Sequence, residues 1–204
     1  MAEPDSVQPY VVLILSGKRK AGKDYIANRL LRKFGEEIAT IIHLSGPLKS
    51  EYARLFSLDY DRLLSADTYK ETYREDMIAW GEQKRRDDPG YFCRLATASP
   101  WVVGKKVWII CDARRQSDLQ YFAAYPHVIR IRVRADDATR TKRGFEFIAG
   151  IDDAESECGL DAVTDWDYVL DNSDGKDKDI DTEIDKLISY VDEQADSVGD
   201  ADIP

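Results

Sequence analysis

The sequence predicts an α/β protein with a five-stranded parallel sheet and helices on both faces, from three observations. Apolar runs alternate with stretches of helical periodicity along the whole chain. The first run, Tyr10 to Leu15 (YVVLIL), is apolar throughout, as a strand covered on both faces must be. A glycine-containing turn then joins that run directly to a helical pattern, the sequence of a strand feeding a crossover helix.

The elements follow in order. After Tyr10 to Leu15 comes the helical pattern Asp24 to Phe34, then a second strand, Ile38 to Leu44 (IATIIHL). Lys106 to Cys111 (KVWIIC), Val128 to Val133 (VIRIRV) and Tyr168 to Leu170 supply three more strands. Helices are expected over Leu48 to Phe56, Tyr69 to Arg86, Tyr91 to Ser99, Asp118 to Ala124, Asp136 to Arg143 and about Asp179 to Asp196. Two stretches break the alternation: residues 46–100, a helical insertion, and 136–161, which reads as a lid. Insertions at the carboxyl ends of parallel strands are where open α/β sheets keep their ligands. A single domain over residues 1–192 is expected, with an acidic, frayed tail at 193–204.

Bulk composition excludes several classes. The 204 residues are 43% hydrophobic and 33% charged, which suits a globular domain with a sizeable core. No apolar run approaches the roughly 18 residues of a membrane span. The start, MAEPDSVQPY, lacks the basic-then-apolar order of a secretion signal, and the ending Asp202-Ile203-Pro204 is no peroxisomal address, so a cytoplasmic home is expected. The net charge of −10 argues against nucleic acid as a partner. Cys93, Cys111 and Cys158 have no C-x-x-C spacing and suggest neither a disulfide framework nor a zinc site, and Cys111 reads as a small core residue. His43 and His127 sit at strand ends with nothing to distinguish them.

Chemistry begins at SGKRKAGKD, Ser16 to Asp24. Gly17, four residues, Gly22 and Lys23 match the phosphate-binding loop pattern, and strand and helix fall on its correct sides. Backbone N–H groups from Gly17 through Ala21 and Gly22 can cradle phosphate oxygens, with the Lys23 ammonium on the β and γ phosphates. Where the pattern has Ser or Thr, this chain has Asp24. That carboxylate is read as a magnesium ligand, direct or through water, or as a lysine's partner, with Lys18, Arg19 and Lys20 balancing its charge.

Other constellations point the same way. Asp112 closes the third strand, a position from which a second acid can orient magnesium-bound water. Arg114 and Arg115 follow it and can grip a phosphate or carboxylate, or pair with Asp118. On the insertion helix Tyr69, Tyr73, Met77 and Trp80 share a stripe, and Lys70, Arg74 and Arg85 form the adjoining one. That basic stripe lacks a neutralising partner on its own helix, so an anionic substrate, or acids of another element, must supply it, with Gly81 permitting close approach. Arg140 and Arg143 share a helix face and can close over the transferring phosphoryl group, or pair with Asp136 and Asp137. Asn172 and Ser173 border the adenine. The acids Asp152, Asp153, Glu155 and Glu157 read as an exposed loop rather than a metal cluster.

SGKRKAGKD, LSGPLK (Leu44 to Lys49), TYKE (Thr68 to Glu71), REDMIAWGEQKRRDDPGYFC (Arg74 to Cys93), DARRQSD (Asp112 to Asp118) and GIDDAESECGLD (Gly150 to Asp161) together resemble the animal-type phosphomevalonate kinases, in order over almost the whole chain. The resemblance implies a nucleoside-monophosphate-kinase-like fold and a kinase that uses ATP and Mg2+. Its reaction moves the γ-phosphoryl group to (R)-5-phosphomevalonate, giving 5-diphosphomevalonate and ADP. The family's loop cations fall on Lys18, Arg19, Lys20 and Lys23, its acid on Asp24, its substrate-side cations on Lys49, Lys70, Arg74, Arg85, Arg114 and Arg115, and its lid arginines on Arg140 and Arg143. An acceptor bearing a phosphate and a carboxylate needs cations at both ends and no strong base, which suits a site rich in Lys and Arg and poor in His.

Two competing functions are a nucleoside monophosphate kinase, which calls for aromatic stacking in the insertion, and a nucleotide-binding regulator without turnover. No feature of the sequence demands a dimer, so a monomer acting on a small molecule is expected.

Overall fold

The computed structural model describes residues 8–64, 68–174 and 180–196. The first seven residues and most of the acidic tail, from 197 on, lie outside the described residues.

Five parallel strands, β1 (Val11–Ser16), β2 (Ala39–Ile42), β3 (Val107–Ile110), β4 (Val128–Arg134) and β5 (Tyr168–Asp171), lie in the order β2-β3-β1-β4-β5. The central strand is β1, every residue of which is buried. It pairs in register with β3 (Ile14 opposite Ile110) and with β4 (Ser16 opposite Arg132). A parallel sheet needs cover on both sides, and the alternate residues of β1 go to two different cores. Val11, Leu13 and Leu15 pack with Ile26, Ala27 and Leu30 of α1 (Lys23–Phe34) and with Ile184, Leu187 and Val191 of α9 (Ile180–Asp196). Val12 and Ile14 face Cys93 and Ala96 of α5 (Tyr91–Thr97) and Leu119 and Phe122 of α6 (Gln116–Phe122). Each fully buried Leu or Ile contributes about 1.5–3 kcal/mol relative to exposure, so these faces fix the register.

The insertion carries α2 (Ser45–Phe56), α3 (Tyr60–Leu64) and α4 (Thr68–Asp87) around a third core of its own. Tyr52, Ala53, Leu63 and Met77 are buried there, with Tyr69, Tyr73 and Trp80 packed against them, so the aromatic stripe expected on α4 is the stripe that holds the insertion together. Gly81 has a different role from the one its place on the helix suggested. A Cβ there would lie 2.6 Å from Leu48 Cδ1, so the close approach it permits is that of α2 against α4 rather than of a substrate.

Helix α7 (Asp137–Lys142) is capped by Asp136, whose carboxylate accepts from Thr139 N at 2.7 Å, and it opens the segment, expected to be a lid, that runs on to α8 (Glu155–Cys158). Helical periodicity cannot mark segments as short as α3 and α8. At the other end, α9 continues through Asp196, the end expected of the last helix, and so past the expected start of the tail at 193.

Candidate active site

All five strands end on one edge of the sheet, and the turns that leave them carry the residues singled out above. Gly17 must be a glycine because β4 runs beside it: a Cβ would stand 2.3 Å from the carbonyl oxygen of Val133. Gly22 has φ +95°, and a Cβ there would meet Asn172 Nδ2 at 2.2 Å. Lys23, the first residue of α1, turns back over the loop and donates to the carbonyls of Gly17 (2.6 Å) and Lys18 (3.2 Å). Asn172, after β5, donates to the carbonyl of Ala21 at 2.9 Å. It braces the loop from behind. Ser173 accepts from Asp136 N and donates to Asp171, tying β5 to the start of α7.

The segment from α7 to α8 is folded onto this loop. Arg140 Nε donates to the carbonyl of Arg19 at 3.0 Å, its guanidinium lies 3.8 Å from the centre of the Phe145 ring, and Asp137 takes one of its N–H groups. Arg143 donates to the carbonyl of Asn172 and to Asp174, both at 2.8 Å, so its acid is Asp174 and not Asp136, which is the cap of α7. Of the acids expected on an exposed loop, Asp153 and Glu155 are exposed, but Asp152 and Glu157 turn inward. Asp152, its side chain 7% exposed, sits 3.2 Å from Arg19; Glu157, 8% exposed, pairs with Arg114; Asp161 holds both Lys18 and Arg132. Sequence reasoning weighed Asp152 and Glu157 only as metal ligands and did not consider Asp161, whereas all three answer cations across the site.

On the other side of the loop a basic floor is assembled. Asp118 of α6, buried, accepts from the backbone N–H groups of Arg114 (3.0 Å) and Arg115 (3.1 Å) and lies 3.4 Å from Arg85 NH1. The pairing expected between the two arginine side chains and Asp118 is therefore a backbone cap, and their guanidiniums go instead to Glu157 and Glu82. Arg85 is buried against Phe92, 4.7 Å from the ring centre, and acts to position Asp118. Arg74 does find a partner on its own helix, Glu71, three residues back. None of the ion pairs among the described residues takes Lys23, Lys49 or Lys70.

Electrostatics sets Lys49 beside Lys70 and links both Lys23 and Lys49 to Arg114. Burial, with Arg114 adding to it, lowers the Lys23 ammonium to about 8, against the pull of Asp24. Lys49 is also held below the usual lysine range, first by burial and then by Lys70 beside it, with Arg114 and Arg74 contributing. A line of positive charge thus runs from Lys23 through Arg114 to Lys49, Lys70 and Arg74. An adjacent cavity of about 630 Å³ shares Lys49 and His43 with this edge, but most of its wall is apolar or uncharged, with Leu64, Leu95 and Trp101 among its lining, so an anion is better served on the Lys23 side.

Asp24 stands exposed in the first turn of α1, a hard oxygen donor beside the phosphate loop. The two carboxylate oxygens of Asp112 accept from Leu44 N (2.6 Å) and Ser45 N (3.1 Å), fastening the start of α2 to the end of β3. Between them the fold places a pair that sequence spacing does not reveal: Cys111 Sγ lies 3.0 Å from His43 Nδ1 and 3.5 Å from an Asp24 oxygen.

A family model described as phosphomevalonate kinase matches residues 15–127, from the end of β1 to the turn before β4. A phosphomevalonate kinase of Drosophila melanogaster is 43% identical over 182 residues, which is 86% of this chain and 96% of that protein. The chain belongs to the phosphomevalonate kinase family. Among solved structures, a gluconokinase from Sinorhizobium meliloti 1021 aligns over 94% of this chain and 97% of its own with 8% identity and a TM-score of 0.48. The TT1252 protein of Thermus thermophilus aligns over 90% and 98% with 17% identity and a TM-score of 0.44. At those scores neither adds to the strand order described above. The loop and the basic floor lie together at the carboxyl end of β1, the central strand.

Proposed function

We propose that the protein transfers the γ-phosphoryl group of ATP to the phosphate of 5-phosphomevalonate, releasing ADP and 5-diphosphomevalonate. The observation that carries this reading is the line of cations from Lys23 through Arg114 to Lys49 and Lys70, in which three lysines have no carboxylate partner among the described residues. An acceptor with a phosphate at one end and a carboxylate at the other would supply both missing charges. The loop residues 17–23 hold the ATP phosphates, with Lys23 on the β and γ groups, Lys18, Arg19 and Lys20 around them, and Arg140 and Arg143 closing from the lid. Lys49, Lys70, Arg74 and Arg115 take the acceptor, and Arg114 lies between the two phosphates. The buried Nε atoms of Arg19 and Arg115 have no acceptor among the described residues, and an incoming oxyanion would give them one.

The bond balance needs no general base. An oxygen of the acceptor phosphate, already ionised at neutral pH, attacks the γ phosphorus in line, the bond to the β–γ bridging oxygen breaks, and that oxygen leaves with ADP. No proton changes place, so the residues have only to align two anions and spread their charge. Asp24, an exposed oxygen donor, fits a magnesium ion directly, and Asp112, with each oxygen already taking an N–H, fits it through water. The ion would neutralise charge on the β and γ oxygens.

A nucleoside monophosphate as acceptor would call for an aromatic face in the insertion. The rings of α4 are spent on the small core: Tyr69 and Tyr73 meet edge to face at 5.0 Å, Tyr52 and Trp80 at 5.7 Å, which leaves Tyr60 as the insertion's exposed ring on the cavity wall. No helix among the described residues is long and apolar enough to cross a membrane. Residence in the cytoplasm as a monomer completes the proposal, and three unpaired cysteines suit that reducing compartment. A coupled ADP-release assay offering phosphomevalonate and each nucleoside monophosphate in turn tests the reading: turnover is expected with phosphomevalonate alone.

A further inference from the structure

His43, after β2, Cys111, after β3, and Asp24, in the first turn of α1, come from three separate segments and meet beside the phosphate loop. Their ligating atoms all lie within 4.8 Å of one another. Magnesium has no use for two of them, since it takes oxygen donors. Thiolate, imidazole and carboxylate together are a donor set for zinc. The spacing agrees: with Zn–S of about 2.3 Å and Zn–N or Zn–O of about 2.0–2.1 Å, the ligand atoms of a tetrahedral site stand about 3.5 Å apart. Here Cys111 Sγ is 3.5 Å from Asp24 Oδ1, 3.0 Å from His43 Nδ1 and 3.6 Å from His43 Nε2.

We propose that Asp24, His43 and Cys111 form a zinc site that draws Asp24 away from the phosphate loop and so inhibits the protein when zinc is bound. Cys111 is fully buried on the end of β3 and anchors the site, while Asp24 and His43 are exposed and free to turn the remaining distance. Coordination replaces the thiol proton, which passes to solvent; no electrons move. Three protein ligands leave the fourth position to water. Of the nearby charges, Lys23 is turned toward the Gly17 and Lys18 carbonyls, and Asp112 is occupied by two backbone N–H groups, so neither competes for the metal position. Inhibition rests on the kinase reading given above; metal binding does not.

Cobalt(II) titration of the full chain, watched for thiolate-to-cobalt charge transfer and tetrahedral d–d absorption, separates the two. One equivalent is expected to give both bands, zinc to abolish them and excess magnesium to leave them. Cys158→Ser should keep them, Cys111→Ser should lose the charge-transfer band, and His43→Asn should weaken binding at least tenfold. Absence of the bands, or their survival in Cys111→Ser, overturns the site. Should Cys111→Ser fail to fold, unchanged cobalt affinity in His43→Asn does the same. In the kinase assay with excess magnesium, His43→Asn should keep its activity without zinc and need at least tenfold more zinc for half inhibition. Equal sensitivity to zinc overturns the inhibitory role. A chain with no kinase activity would leave the cobalt result standing, so the two readings fail separately.

Discussion

Glu157 of the lid pairs with Arg114 on the floor of the site, and the same guanidinium donates to the carbonyl of Ser156 at 3.3 Å. Arg114 also lowers the charge affinity of both Lys23 and Lys49. One carboxylate of the proposed lid therefore neutralises the cation on which the two proposed phosphate sites converge. Replacing Glu157 with Gln would leave that charge for the substrates. The expected outcome is a KM for the acceptor lowered by about threefold to tenfold, the equivalent of about 1 kcal/mol, with some loss of thermal stability. Steady-state kinetics and a melting curve check it; a raised KM would mean that Glu157 orients Arg114 instead.

Lys23 gives the site a pH signature. Its ammonium titrates near 8, so before ATP binds it loses its charge as pH rises through that value. ATP favours the charged form, so affinity should fall between about pH 7.5 and 9, with proton uptake on binding. Calorimetry in buffers of different ionisation enthalpy reads the proton directly. The sign for stability is opposite. The folded value lies below the ordinary 10.5, so the unfolded chain holds more protons between the two and this group's contribution to stability rises with pH across that window. Lys23→Met should abolish turnover, remove that rise and increase Tm below pH 8.

Much of this was legible in the sequence, and the exceptions have physical causes. The unbroken apolar run Val11 to Leu15 and the Gly17–Lys23 spacing fixed the central strand and the loop, because a doubly covered strand and a phosphate cradle each permit few residues. The stripe Tyr69, Tyr73, Met77 and Trp80 was legible for the same reason. Ion pairing was not: Arg19 with Asp152 and Lys18 with Asp161 span more than 130 residues, and no local pattern records them. Gly81 and the Asp24–His43–Cys111 cluster were hidden likewise, since a neighbouring helix or strand end decides them.

Asn172 and Gly22 are in close apposition, and the loop depends on it. Asn172→Ala removes the bond to the Ala21 carbonyl. A loss of about 1–2 kcal/mol in urea unfolding is expected, together with a raised KM for ATP and little change in KM for the acceptor. An effect confined to the acceptor would contradict the placement.

Lys49 should behave in the complementary way. Lys49→Met removes a partly buried cation that has no carboxylate partner among the described residues, so its whole effect falls on the ligand. Loss of a charge-assisted contact of about 1.5–3 kcal/mol corresponds to roughly a tenfold to hundredfold rise in KM for the acceptor, with KM for ATP unchanged. Initial rates with each substrate varied in turn distinguish the two.

The central claim is that the charge line from Lys23 to Lys70 serves a phosphorylated, carboxylate-bearing acceptor. Coupled ADP release from the full chain with ATP, magnesium and phosphomevalonate tests it most directly. Sustained turnover with phosphomevalonate and none with nucleoside monophosphates is the result predicted, and ADP release that does not depend on phosphomevalonate would contradict it.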